Sequence, residues 1–232
     1  MNRFMIVVNP DKDTDSTVTN RIQSYLEAHG AACMVRDVFH LESSDWEALK
    51  KEQFDCVLVL GGDGTLLRMA GETEDIDIPL FGINLGTVGF LTEGEVANIE
   101  EILDRLLTDD FTIEERMMVT GTVTKADGTT YRKSALNDIV ISRAGFSRLI
   151  GLNVSVDGQV LDTYEADGVV ISTPTGSTGY NLSAGGPIVS PDAELLVITP
   201  VSPHSLTAKS IVLSGKEEIT IEITKKRKTQ DT

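Results

Sequence analysis

Positive charge is scarce in this chain. Twenty lysines and arginines stand against 36 aspartates and glutamates, for a net charge of −16. Nucleic acid and anionic membrane surfaces both need a basic footprint, so the balance argues against either as a main partner. It leaves any anionic ligand dependent on a local exception in the field. Cysteine is almost missing. Cys33 and Cys56 lie in or beside apolar runs, with no Cys-x-x-Cys or metal-ligand spacing, so two reduced, buried thiols are expected. No apolar stretch approaches the roughly 20 residues of a membrane span. The opening run Phe4–Val8 is too short for a signal peptide and ends in Asn9-Pro10, as a first strand would. The expected location is the cytoplasm. Both standard nucleotide signatures, Gly-x4-Gly-Lys-Ser/Thr and Gly-x-Gly-x-x-Gly, are also absent.

Apolar residues make up 41% of the chain, enough for a core. The first half alternates strand and helix patterns. Strands are expected at Phe4–Val8, Ala31–Val35, Cys56–Leu60 and Leu80–Ile83. Helices are expected at Ser16–His29, at Ser43–Glu52 with Ser43 or Ser44 as cap, at Gly64–Ala70 and at Val96–Leu107. The unbroken run Cys56-Val57-Leu58-Val59-Leu60 suits a strand buried on both faces of a parallel sheet. Near Phe111 the pattern changes. Residues 112–124, 130–142, 149–157 and 160–172 read as strands, with Asp127-Gly128 and Asp157-Gly158 as hairpin turns. Strands at Leu195–Ile198 and Ile211–Ile223 follow a Gly/Ser/Thr-rich stretch from Thr173 to Gly186. The expected fold is an α/β domain with an open, mainly parallel sheet over residues 1–110. A β-rich, sandwich-like domain follows over 111–232.

Four segments carry chemistry. Gly61-Gly62-Asp63-Gly64-Thr65 follows a buried strand and opens a helix, the place where open α/β sheets bind ligands. Its glycines suit positive φ and a close phosphate, and the amides of Gly64, Thr65 and Leu66 suit an anion. Asp63 then has three readings: it holds a metal ion, it accepts from a sugar hydroxyl, or it caps the helix. Arg68 adds positive charge about one turn on. The second segment, Asp167 to Pro187, joins a strand, a hydroxyl-rich turn and a short helix from Ser177. Hydroxyls and amides there suit a neutral anion cradle, and Tyr180 suits stacking on a flat ring. Asp167-Gly168 lies within what reads as continuous strand. The third, Asn137-Asp138, interrupts an apolar strand; it fits a ribose diol or a β-bulge. The fourth, Gly82 to Thr92, again follows a buried strand, with Phe90 as a stacking ring or a core residue.

Taken in order, these segments resemble the NAD kinase family. Its members carry GGDGT, NLGxLGFLT, an LN[ED] strand, DG-x3-STPTGST-x-Y-x-LSAGGP, and PHSL with a basic residue after it. All five occur here, the last as Pro203-His204-Ser205-Leu206 with Lys209, and Glu114-Glu115-Arg116 fits the acidic-Arg segment between the domains. The resemblance covers nearly the whole chain. GGDGT alone is shared with diacylglycerol and sphingosine kinases; the STPTGST segment is not.

The resemblance implies ATP-dependent phosphorylation of the 2′-hydroxyl on the adenosine ribose of NAD, with Mg2+ or another divalent cation. It places Asp63 as proton acceptor and Gly61, Gly62, Gly64 and Thr65 at the phosphates. It places Asp63, Gly64, Arg68, Phe90, Asn137, Asp138, Arg148 and Asp167 at the NAD site. Thr175, Thr178, Gly179, Tyr180, Asn181, Leu182 and Ser183 join them there. It further implies a homodimer or homotetramer. Glu165 stands where some members carry a basic residue, and Gly179 replaces a commoner alanine. Members usually continue beyond the strand at Ile219–Ile223, whereas this chain ends on the basic run Lys225-Lys226-Arg227-Lys228, read as a solvated tail. The β-domain is therefore expected to be shortened, with an exposed sheet edge. The alternatives are a lipid kinase of the diacylglycerol or sphingosine type and a truncated NAD(P)-binding protein without turnover.

Overall fold

The run at Cys56–Leu60 sits in the middle strand of a five-stranded parallel sheet, where every residue from Cys56 to Gly61 is buried. A computed structural model describes residues 1–86, 89–145, 149–205 and 207–224, without the side chain of Ser43. It divides into two units, Met1–Glu114 and Glu115–Thr232.

In the first unit, strands β1 (Arg3–Val8), β2 (Ala32–Asp37), β3 (Cys56–Gly61), β4 (Leu80–Asn84) and the two-residue β5 (Gly94–Glu95) lie in the order β2-β1-β3-β4-β5. Helices α1 (Thr17–Ala28), α2 (Ser43–Lys51), α3 (Asp63–Glu72) and α4 (Ile99–Leu107) cover both faces. Period-2 alternation divides the core. Phe4 and Ile6 of β1 pack with Ile22, Leu26, Ile99 and Leu103 of α1 and α4. Met5 and Val7 face the other way, with Leu49 of α2 and Leu66 and Met69 of α3. The chain leaves β1 toward β2 on one side and returns to β3 on the other, so the strand order reverses between β1 and β3. Burial pushes the Cys56 thiol up to about 12 and the Cys33 thiol up to about 11.

Three expectations change here. Glu42, not Ser43 or Ser44, caps α2, and the Asp45 carboxylate accepts from the Glu42 amide at 2.9 Å. The segment from Val96 begins as a 3-10 turn over Val96–Asn98 before α4. Residues 112–118 form no strand. Among the described residues no helix is long and apolar enough to cross a membrane.

The second unit is built of antiparallel strands. They are β6 (Val119–Thr124), β7 (Thr130–Ala135), β8 (Asp138–Ser142), β9 (Ile150–Val156), β10 (Gln159–Ala166), β11 (Gly168–Ser172), β12 (Leu195–Val201), β13 (Ile211–Ser214) and β14 (Ile219–Thr224). One sheet runs β10-β9-β14 and another β13-β12-β11-β8, with β6-β7 as a separate hairpin. Leu152, Val154, Tyr164 and Ala166 from the first sheet share one core with Val169, Ile171, Leu196 and Ile198 from the second. That is sandwich packing. The continuous strand expected over 160–172 is two strands in different sheets. β10 pairs with β9, β11 pairs with β8 and β12, and Asp167 is the residue at which the chain crosses over.

Candidate active site

β3 ends at Gly61, Gly62 is extended, and α3 begins at Asp63 itself. None of Gly61, Gly62 and Gly64 has positive φ, so the backbone conformation expected for them is corrected. At Gly61 the need is room: an added Cβ would come within 2.3 Å of the Thr65 hydroxyl. The anion reading of the amides is also corrected in part. Those of Thr65 and Leu66 donate to the Gly62 carbonyl at 2.9 and 3.2 Å, which leaves Gly64 of the three.

Asp63 does not cap its own helix; no side-chain cap bond forms there. Its carboxylate turns toward the loop after β4. Oδ2 accepts from the Phe90 amide at 2.8 Å. Oδ1 accepts from the Leu91 amide at 3.1 Å, and from the Thr92 amide and hydroxyl, each at 3.2 Å. Gly89 makes this possible, since a Cβ there would sit 2.0 Å from Oδ1. Asp63 is thus the link between the GGDGT turn and the GFLT segment, a connection that neither motif shows alone. Phe90 is 83% exposed on this loop, so of its two readings the core one is corrected. Arg68 is exposed too, and its guanidinium lies 5.7 Å from the centre of the Phe39 ring. Nothing in the sequence motifs singled out Phe39.

In the second unit, Asn137 and Asp138 stand where β8 begins. The partner of Asp138 across the sheet is Ser172, the last residue of β11. The Thr173 amide donates to the Asn137 carbonyl at 2.8 Å, and the Thr173 hydroxyl reaches the same carbonyl at 3.0 Å. This stitch brings the hydroxyl-rich turn onto the Asn137-Asp138 pair. Gly176 fits only as glycine, because a Cβ would meet the Asn137 carbonyl oxygen at 2.0 Å. A Cβ on Gly179 would lie 3.5 Å from Asn137 Nδ2 and 3.7 Å from Asp138 Oδ2, so this turn overlooks both side chains. Asn137 Oδ1 is buried with no hydrogen-bond partner among the described residues. Burial raises the Asp138 carboxyl above its ordinary value. An unpaired amide oxygen beside a half-buried carboxyl is an arrangement that hydroxyl groups would satisfy.

Several residues of the second segment have other work. Asn181 is fully buried. Its Nδ2 donates to the carbonyls of Ser177 and Pro187 at 3.1 and 2.9 Å, and its Oδ1 accepts from Thr199 at 2.7 Å. The expectation that Asn181 touches a ligand is corrected: it ties the turn to β12. The anion cradle expected of the hydroxyls is corrected in the same way. Ser172, Thr173, Thr175 and Ser177 are buried. Ser172 and Thr173 donate to backbone carbonyls, Thr175 accepts from Arg116 at 3.4 Å, and Ser177 accepts from the Val189 amide at 3.2 Å. Tyr180, Leu182 and Ser183 of the short helix α5 (Tyr180–Ser183) are the exposed members, with Thr178 and Gly179 partly so. The Asp167 carboxylate pairs with Arg143 at 2.7 Å, a partner the motif reading missed. Arg148, Leu206 and the basic run at 225–228 lie outside the described residues.

Residues 4–111 match a family model described as the ATP-NAD kinase N-terminal domain, and residues 136–231 match the ATP-NAD kinase C-terminal domain. The chain belongs to the NAD kinase family. An NAD kinase of Lachnoclostridium phytofermentans is 46% identical over all of this chain and 82% of its own length. One of Agathobacter rectalis is 44% identical over the same shares. Among solved structures, yeast NADH kinase complexed with NADH aligns with a TM-score of 0.81 at 25% identity, over 96% of this chain and 72% of its own. An NAD kinase from Archaeoglobus fulgidus in complex with ATP aligns with a TM-score of 0.77 at 32% identity, over 95% and 80%. The NAD kinase family match spans both units, so it separates this chain from lipid kinases resembling it only at the GGDGT turn.

Proposed function

We propose that the chain transfers the terminal phosphoryl group of ATP to the 2′-hydroxyl of the adenosine ribose of NAD, giving NADP and ADP. The observation that carries this reading is the Asp63 carboxylate, fixed at the carboxyl end of a buried parallel strand with Oδ2 accepting a single donor. The hydroxyl oxygen attacks the γ-phosphorus, the bond to the bridging β,γ-oxygen breaks, and the hydroxyl proton passes to Asp63. A loose transition state needs positioning and charge neutralisation more than a strong base, so Asp63 orients the hydroxyl and takes its proton late. Asn137 and Asp138 bind ribose hydroxyls, and Tyr180 and Phe90 offer exposed rings to flat groups. Arg68 supplies positive charge.

The divalent cation belongs to the substrate. Among the described residues no three His, Cys, Asp or Glu side chains gather into a cage. Mg2+ commonly binds through one or two carboxylates, waters and substrate phosphates, so delivery on the triphosphate suits this chain. A homodimer or homotetramer and a cytoplasmic setting complete the reading; light scattering on the purified chain measures the first. The direct test uses ATP labelled at the γ-phosphate, with Mg2+ and NAD. Label recovered as a 2′-phosphomonoester of NAD is expected, and label released only as inorganic phosphate overturns the reading.

A further inference from the structure

The two oxygens of Asp63 carry unequal loads. Among the described residues Oδ1 takes three donors, the amides of Leu91 and Thr92 and the Thr92 hydroxyl, while Oδ2 takes only the Phe90 amide. A carboxylate oxygen has about two lone-pair sites, so Oδ1 is saturated and Oδ2 keeps one site open. Rotation about the last bond of an aspartate is soft, and only unequal partners stop the two oxygens exchanging places. Thr92 supplies the one side-chain donor in the set. Its position is itself fixed. The residue is buried, and its methyl group packs over Gly82, where an added Cβ would come within 2.9 Å of it. A β-branched side chain packed on its methyl has little freedom at χ1, so its hydroxyl is aimed at Asp63.

We infer that Thr92 is a positioning residue for phosphoryl transfer, holding Oδ1 so that Oδ2 is the oxygen that receives the acceptor's proton. This rests on the function proposed above. Thr92 touches no reacting atom; it acts through Asp63.

The test compares the unmodified chain with Thr92→Val and Thr92→Ser, reading kcat, KM for NAD, KM for ATP at saturating Mg2+, and Tm. Valine keeps the methyl packing and removes the hydroxyl; serine does the reverse. The expected result for Thr92→Val is a kcat about tenfold lower or more, the scale of one hydrogen bond to a charged group. Both KM values should stay within about twofold, with Tm little changed. Thr92→Ser should hold kcat within about threefold while its Tm falls through the lost methyl. A packing role alone gives the opposite order, an active valine variant and an impaired serine one, and that result overturns the inference. So does an unchanged kcat in Thr92→Val. An unmodified chain that is folded but makes no NADP removes the proposed function, and this inference with it, and is told apart by that control.

Discussion

Replacing Asp63 with asparagine changes one oxygen for an amide nitrogen and removes the charge, and the geometry says what each loss does. If the remaining oxygen takes the Oδ1 position, it keeps the Leu91 and Thr92 donors, and the new nitrogen faces the Phe90 amide, which now donates at 2.8 Å. Donor then meets donor. If the side chain flips, the same conflict arises against three donors at 3.1 to 3.2 Å. Either way the variant loses a charge-assisted bond worth about 1.5–3 kcal/mol. For a chain of this size that lowers Tm by roughly 3–12 °C. The disturbed loop also carries Phe90. Well below Tm, kcat should fall about 100-fold or more, from loss of the proton acceptor, and KM for NAD should rise by a few fold. Steady-state rates with saturating ATP and Mg2+, beside a melting curve, measure both. A folded Asp63→Asn protein with kcat within tenfold of the unmodified chain would refute the proposed role.

Two further outcomes follow from the second unit. Burial raises the Asp138 carboxyl, so ionising it costs folding energy. Native Asp138 holds its proton at pH values where the unfolded chain has lost it, so this group's contribution makes folding more favourable as pH falls toward the ordinary carboxylate range. Asp138→Asn should therefore raise Tm at neutral pH, by a margin that shrinks as pH is lowered, while weakening NAD binding; a gain that grows on acidification would contradict the burial argument. Asn181→Ala leaves the buried Ser177 carbonyl without its amide donor and removes the bonds to Pro187 and Thr199, at a cost of roughly 1–3 kcal/mol. A marked loss of Tm is expected, and an unchanged Tm with weakened NAD binding would instead make Asn181 a ligand contact.

The first unit was largely legible because its signals are strong and local. A run such as Cys56–Leu60 has no polar face, and Pro10, Gly30 and the Gly61-Gly62 pair close β1, α1 and β3. The second unit was less so. Apolar residues continue on both sides of Asp167, and periodicity cannot show that Tyr164 and Val169 belong to opposite sheets of one sandwich. The site was legible as motifs but not as contacts. Hydroxyls read as an anion cradle turned inward, because Thr173 and Ser177 stitch their own turn to neighbouring backbone. Asn181 looks like any polar loop residue until its amide is seen between two carbonyls. Glycines suggested backbone freedom, whereas Gly89 and Gly176 serve close approach by Asp63 and by the Asn137 carbonyl. Each of these depends on a partner distant in sequence, which no local pattern encodes.

The most direct measurement follows NADP as it forms. The purified chain is supplied with ATP, Mg2+ and NAD, and the product is read through a dehydrogenase that accepts only NADP. The expected result is steady NADP production that depends on ATP and falls about 100-fold or more in Asp63→Asn. A folded chain that binds NAD yet forms no NADP at high enzyme concentration would contradict the proposed activity.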